Sequence, residues 1–230
     1  MRWVVLVVVG SAWLALGALA LSLVTIPPAW NPWAPLSIVD PPNALTRYKM
    51  TRLSHDGDAC RAALATGAVR FTRLPDRAAA PGCGLDDAVR IEATTARVDP
   101  AFTLSCRSAV ALALWERHVL QPAASAAFGQ PVARLEHFGS YACRNVYGLP
   151  DARRSQHATA DALDVAGFVL ADGTRIRVAA DWTGAGPRAQ FLREVHDGAC
   201  RFFDGVLGPD YNAAHRDHFH LDRGAFRVCR

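Results

Sequence analysis

Apolar positions are distributed along this chain in three distinct ways. From Trp3 to Pro27 no charged residue interrupts the run, which follows a single Arg2. About 20 apolar residues suffice to cross a bilayer as a helix, so residues 1–27 predict one N-terminal membrane-spanning helix or export segment. Ala18-Leu19-Ala20 could serve as a cleavage site, but the apolar run continues through Leu21, Leu23, Val24 and Ile26, which favours an uncleaved anchor. Next, Pro27–Pro42 holds six prolines and two tryptophans, a composition that predicts an extended stalk over residues 28–45 with Trp30 and Trp33 near lipid headgroups. Residues 46–230 then form one continuous domain without a repeat or second linker.

Within that domain, Ser105–Leu120 places Val110, Leu114, Trp115 and His118 at helical spacing, and a second helix is expected to end near Phe128-Gly129. Arg188–Phe203 gathers Phe191, Leu192, Val195, Ala199 and Phe202 on one helical face. Leu163–Leu170 and Thr174–Ala180 are strand-like and joined by Asp172-Gly173, a hairpin dipeptide, and His218–Leu221 predicts one more strand. The expected fold is α+β, a small antiparallel sheet flanked by helices.

Composition narrows the function classes. With 51% hydrophobic and 20% charged residues, the chain can bury a substantial core. The net charge of +4 is small and its basic residues are scattered, which excludes a nucleic-acid footprint. Six cysteines, none in a Cys-x-x-Cys pair, predict a disulfide framework, and hence an oxidising compartment. The pairing among them is left open.

Candidate chemistry concentrates in two segments, Ser155–Phe168 and His215–Asp222. Zinc accepts imidazole nitrogen and carboxylate oxygen, and catalytic zinc keeps about three protein ligands and an open position. His218 and His220 project from one face of a strand while Phe219 and Leu221 project from the other. His157 lies shortly before Asp164, which opens the hairpin, so a loop can bring both to one point. Ser155 suits a hydroxyl that bonds the ligands rather than a nucleophile, because no Gly-x-Ser-x-Gly elbow surrounds it. His215, His196 and His55 are expected at the surface. Tyr141 and Trp182 suit core packing first and a substrate groove second.

The pattern Ser155-x-His157-x6-Asp164, followed by Asp217-His218-x-His220, resembles the zinc D-Ala-D-Ala peptidase superfamily, which includes lysostaphin-type endopeptidases and the hedgehog domain. More closely, Gly139–Arg144, Ser155–Phe168, Cys200–Asn212 and His215–Asp222 are similar to the bacterial extensin-like C-terminal domain family. The resemblance implies zinc held by His157, Asp164 and His220, with Asp217 as general base and His218 beside the reacting carbonyl. It further implies Arg144 as a substrate- or oxyanion-binding residue, with Ser155 and Tyr141 in support. Such a protein would hydrolyse peptidoglycan stems or cross-links from a periplasmic domain tethered to the inner membrane. The alternative is a zinc-containing cell-wall module without turnover. One departure stands at Ala160, where such peptidases commonly carry glycine. Strand parity would turn Asp217 away from the histidines unless the strand starts after it, and Asp222 is then the fallback base.

Overall fold

A computed structural model describes residues 2–23 and 26–230; the expected anchor therefore falls in part, at Met1, Val24 and Thr25, outside the described residues. Helix α1, Arg2–Leu23, occupies the N-terminal apolar run. Among the described residues no helix is long and apolar enough to cross a membrane, so the expected bilayer span draws no support from the fold.

The Pro/Trp-rich segment does not stand clear of the domain as a spacer. Leu36 and Ile38 are buried in the main core. The Ile38 N–H donates to Thr66 Oγ1 at 2.8 Å, and its carbonyl meets His118 Nε2 at 2.8 Å. Lys49 Nζ and Arg52 donate to the carbonyls of Pro28 and Pro32 at 2.7 and 2.9 Å. Two well-placed aliphatic side chains thus override a composition that, taken alone, favours free extended chain.

Two short helices follow, α2 (Thr46–Leu53) and α3 (Gly57–Ala65). The latter is capped by Asp56, whose carboxylate accepts from Ala59 N. Strands β1 (Arg70–Arg73), β4 (Ala88–Ala93) and β5 (Arg97–Ser105) form antiparallel pairs, while β2 (Arg77–Ala80), exposed throughout, and β3 (Cys83–Leu85), with Cys83 and Leu85 buried, make a separate hairpin. Ser105 caps α4 (Cys106–Trp115), which runs through a π-helical turn at Glu116–Leu120 into α5 (Gln121–Phe128); Gly129, at φ 68°, ends the helix in the left-handed region, as the Phe128-Gly129 signal predicts.

Strands β6 (Val132–Gly139) and β7 (Ala162–Leu170) form the centre of the main sheet. The strand expected over Thr174–Ala180 is shorter: β8 spans Arg175–Arg177, and Val178 already begins helix α6 (Val178–Asp181). Pro187 opens α7 (Pro187–Ala199), and the sheet is completed by β9 (Gly205–Leu207), β10 (Phe219–Asp222) and β11 (Val228–Cys229).

The fold class is α+β as expected, but the sheet is neither small nor purely antiparallel. Nine strands run β1-β4-β5-β6-β7-β10-β9-β11, with β8 added at β7, and β5/β6 and β9/β11 pair in parallel. The parallel pairs are invisible to hairpin signals, since they join strands distant in sequence. Helices α4, α5 and α7 carry the apolar layer: Trp115 is fully buried, packs toward Phe168 at 6.2 Å, and donates Nε1–H to the Val195 carbonyl at 2.8 Å.

All six cysteines are paired, as Cys60–Cys106, Cys83–Cys143 and Cys200–Cys229. The first ties α3 to the start of α4 across 46 residues. By the loop-entropy relation, replacing both Cys60 and Cys106 by alanine is expected to cost about 4 kcal/mol, measured by urea unfolding as a fall in midpoint.

Candidate metal centre

Strand pairing builds the centre. β10 runs antiparallel to β7 with His220 directly opposite Asp164, Phe219 opposite Val165 and Leu221 opposite Leu163. Cross-strand partners on one face lie close enough for their side chains to meet. Phe219, Leu221, Leu163 and Val165 are buried on the core side, so His220 and Asp164 emerge together on the other. Glu136 pairs with Gly167 and His137 with Val165, which leaves Ala166 as an extra residue in β7. That bulge shifts the inward positions to Phe168 and Leu170.

His157 arrives on a short 3-10 turn, Gln156–Thr159, capped by Ser155 Oγ, which accepts from His157 N at 3.3 Å. The turn ends at Ala160, held at φ 56°, a left-handed conformation that ordinarily favours glycine. Asp161, missed in the sequence, fastens this turn to the N-terminus of α4. Its Oδ1 accepts from Ser105 Oγ at 2.5 Å and Arg107 Nε at 2.8 Å, and its Oδ2 from Arg107 and Thr159 Oγ1 at 2.7 and 2.8 Å.

One donor atom each from His157, Asp164 and His220 lies within 4.8 Å of the other two. His157 Nε2 stands 3.2 Å from Asp164 Oδ2 and 3.2 Å from His220 Nδ1, which is 3.0 Å from Asp164 Oδ1. Each ring is fixed from behind: His157 Nδ1 donates to the Ser140 carbonyl at 2.5 Å, and His220 Nε2 meets Asp222 Oδ2 at 3.0 Å. Such partners leave His157 Nε2 and His220 Nδ1 with lone pairs directed at a shared point. Two imidazole nitrogens and a carboxylate, with an open side, form a donor set that suits zinc.

The charges agree. Burial pushes the Asp164 carboxyl up, but hydrogen bonds from His157 and His220 outweigh it and hold the group far below the usual carboxylate range. Burial likewise opposes charge on His220, yet its bonds to Asp164 and Asp222 raise it to about 9. Without metal, a proton on His220 supplies the positive charge facing Asp164.

The centre opens into a cavity of about 360 Å³ lined by Arg144, Ser155, His157, Asp164, His218, His220 and Asp222, among others. Asp217 is not on that lining. β10 begins at Phe219, so Asp217 and His218 both precede it, and Asp217 Oδ1 accepts from His218 Nδ1 at 2.9 Å. The ring's other nitrogen, Nε2, is 3.6 Å from Asp164 Oδ1. Asp217 therefore stands behind His218, which faces the centre.

Two sequence expectations change, those for His196 and His215, while Tyr141 takes the packing role expected of it first. Tyr141 packs against the small apolar cluster of Leu85, Ala88 and Ala160, off the cavity. His196 is buried, its ring 5.5 Å from Trp182 and 5.2 Å from Phe219. His215 is buried as well and lines the cavity, 5.3 Å from the His218 ring and 5.8 Å from that of His220. Burial and then the neighbouring His220 and His218 push His215 down to about 4. Its Nδ1 donates to Asn212 Oδ1 at 2.8 Å; a polar local sequence gave no hint of this, because burial comes from the β10 side of the cavity. Trp182 is core, with Nε1 donating to Asp210 at 2.9 Å, and His55 is exposed, both as expected.

A family model described as Extensin-like protein C-terminus matches residues 58–230. The chain belongs to this extensin-like family. No curated protein and no solved structure matches it. The extensin-like match contains every residue of the centre and all three disulfides.

Proposed function

We propose that this extensin-like domain is a zinc-dependent hydrolase, an amidase of the D,D-peptidase type acting on peptidoglycan stem peptides or cross-links. The observation that carries the reading is the convergence of His157, Asp164 and His220 at a cavity that His218 also enters. The similarity of Ser155–Asp164 and Asp217–His220 to zinc D-Ala-D-Ala peptidases supports the same chemistry. Three disulfides fit an oxidising envelope compartment. We place the body in the periplasm and α1 at the inner membrane, since Leu6, Val8, Trp13 and Leu14 of that helix are exposed.

Bound between these side chains, zinc would supply Lewis-acid polarisation of a carbonyl and a water acidic enough to ionise near pH 7. The chain's own groups supply the rest. His218 Nε2 takes the proton of the attacking water, and Asp217 holds the ring in the tautomer that can do so and balances the imidazolium that results. The same nitrogen then returns the proton to the leaving amine. Arg144 stands on the cavity wall where it can meet the developing negative charge. Asp222 belongs with His220, as its orienting partner rather than as a base.

Incubating the purified chain with zinc and muropeptides, and looking by mass spectrometry for released D-alanine or a cut cross-link, tests the reading; absence of product from zinc-loaded protein sinks it. A second reading, a zinc-containing cell-wall module without turnover, draws on the position of Asp217 outside the cavity. Metal uptake without any product is its signature. On either reading, Asp222→Asn is expected to weaken zinc binding roughly 10–100-fold, read by competition with a chelator, because the His220 ring loses the partner that fixes its metal-facing nitrogen.

A further inference from the structure

Cavity charge identifies what the centre accepts besides a scissile bond. Two guanidinium groups, Arg144 and Arg153, line the cavity. Both are exposed; elsewhere in the domain Arg47, Arg61, Arg107, Arg175 and Arg223 each pair with a carboxylate, while exposed residues such as Arg73, Arg90, Arg97 and Arg117 do not, so what distinguishes the two is their place on the cavity wall. Among the described residues neither cavity arginine has a side-chain hydrogen bond or ion pair, although Asp164 and Asp222 line the same cavity. Asp164 is taken up by His157 and His220, and Asp222 by His220 and the Gly224 N–H at 2.6 Å. Arg153 feels the charge of Asp222 but makes no ion pair with it.

Arg153 is also held in place. Its carbonyl accepts from Val146 N at 2.9 Å within the loop that carries Arg144, and its guanidinium lies 5.8 Å from the Phe226 ring. Phe226 comes from the C-terminal strap, which Cys200–Cys229 fastens to the end of α7. A planar cation stacked on an aromatic face and lacking a protein anion is arranged for a planar anion from outside.

We infer that Arg153 reads a free carboxylate on the ligand, so that the centre selects peptides that present an ionised carboxyl beside the bond to be cut. The inference rests on the hydrolase reading for the position of that bond, but the recognition itself needs neither metal nor turnover. Arg153 is the specificity-determining residue, and Phe226 its support.

The test measures binding to the metal-free full chain in detergent by calorimetry, with N-acetyl-D-alanyl-D-alanine, its C-terminal carboxamide and inorganic phosphate as probes. The free acid is expected to bind at least fivefold more tightly than the carboxamide. Arg153→Gln should erase that preference without changing the thermal midpoint, and Phe226→Leu should reduce it. Equal affinities, no binding of either peptide, phosphate displacing the acid at equal concentration, or a preference surviving in Arg153→Gln would each overturn the inference. Product release from muropeptides by zinc-loaded protein, measured separately, judges the hydrolase reading, so the two fail independently.

Discussion

Replacing His218 by alanine is expected to lower turnover of a D-alanyl peptide by roughly 10²–10⁴-fold while zinc stays bound, the range that loss of a positioned proton-transfer group produces. The ligand triad does not include His218, whose Nε2 nevertheless stands 3.6 Å from Asp164, on the open side of the centre. Its removal should therefore spare metal content and strike the chemical step. Asp217→Asn keeps the ring in the cavity but replaces the carboxylate at 2.9 Å with a group that cannot balance an imidazolium. A smaller loss, about 10–100-fold, follows from that partner's indirect role. Rates and metal content measured together decide the matter: a rate that falls further in Asp217→Asn than in His218→Ala would return the proton to the carboxylate.

That division of labour shows how far the sequence could be read. The His-x-His spacing with Phe219 and Leu221 between and after it was enough to predict a strand with one site-facing side, because alternation is local. Parity also showed that Asp217 could serve only if the strand began after it, and β10 does begin at Phe219. What the spacing could not supply was the neighbour. Whether the Asp217 carboxylate turns to the cavity or to the adjacent imidazole depends on a turn, Ala213–His215 and the residues after it, whose shape is set by Asn212 capping. The same limit applies to Asp222, whose role follows from its position two residues along the strand from His220 and from the crowding of its other oxygen by Gly224.

Long-range pairing was the other gap. The Ala166 bulge lets one strand serve Asp164 to the centre and Phe168 to the core although both are even-numbered, and strict alternation would have put them on one face. The proline-rich segment hid Ile38 in the same way, since its burial against Thr66 and His118 requires residues far along the chain. Helices α4, α5 and α7, by contrast, obey their own 3.6-residue period and were legible, although α7 stops at Ala199, one turn short of the Phe203 expected from its apolar face.

The charge state of the metal-free centre leads to the second large effect. Zinc affinity is expected to rise about tenfold for each pH unit from about 6.5 toward about 9, where His220 titrates in the metal-free protein, and to level off above it. The sign follows from competition: His220 must give up its proton before Nδ1 can bind metal. Stability of the metal-free fold should move the opposite way. His220 is raised above its unfolded value, so its contribution is complete below about 6.5 and is lost as pH climbs through about 9. Asp164 is depressed, so its contribution is present above its ordinary range and is lost only in strong acid. Between neutrality and about 9 the apo protein weakens while zinc binds better, and the zinc-induced rise in thermal midpoint must therefore widen with pH. In His220→Ala both trends should vanish together with bound zinc, since the variant lacks the third ligand and the proton that stands in for the metal. A zinc-induced shift independent of pH in the native chain would mean that the metal, if bound, sits elsewhere than between His157, Asp164 and His220.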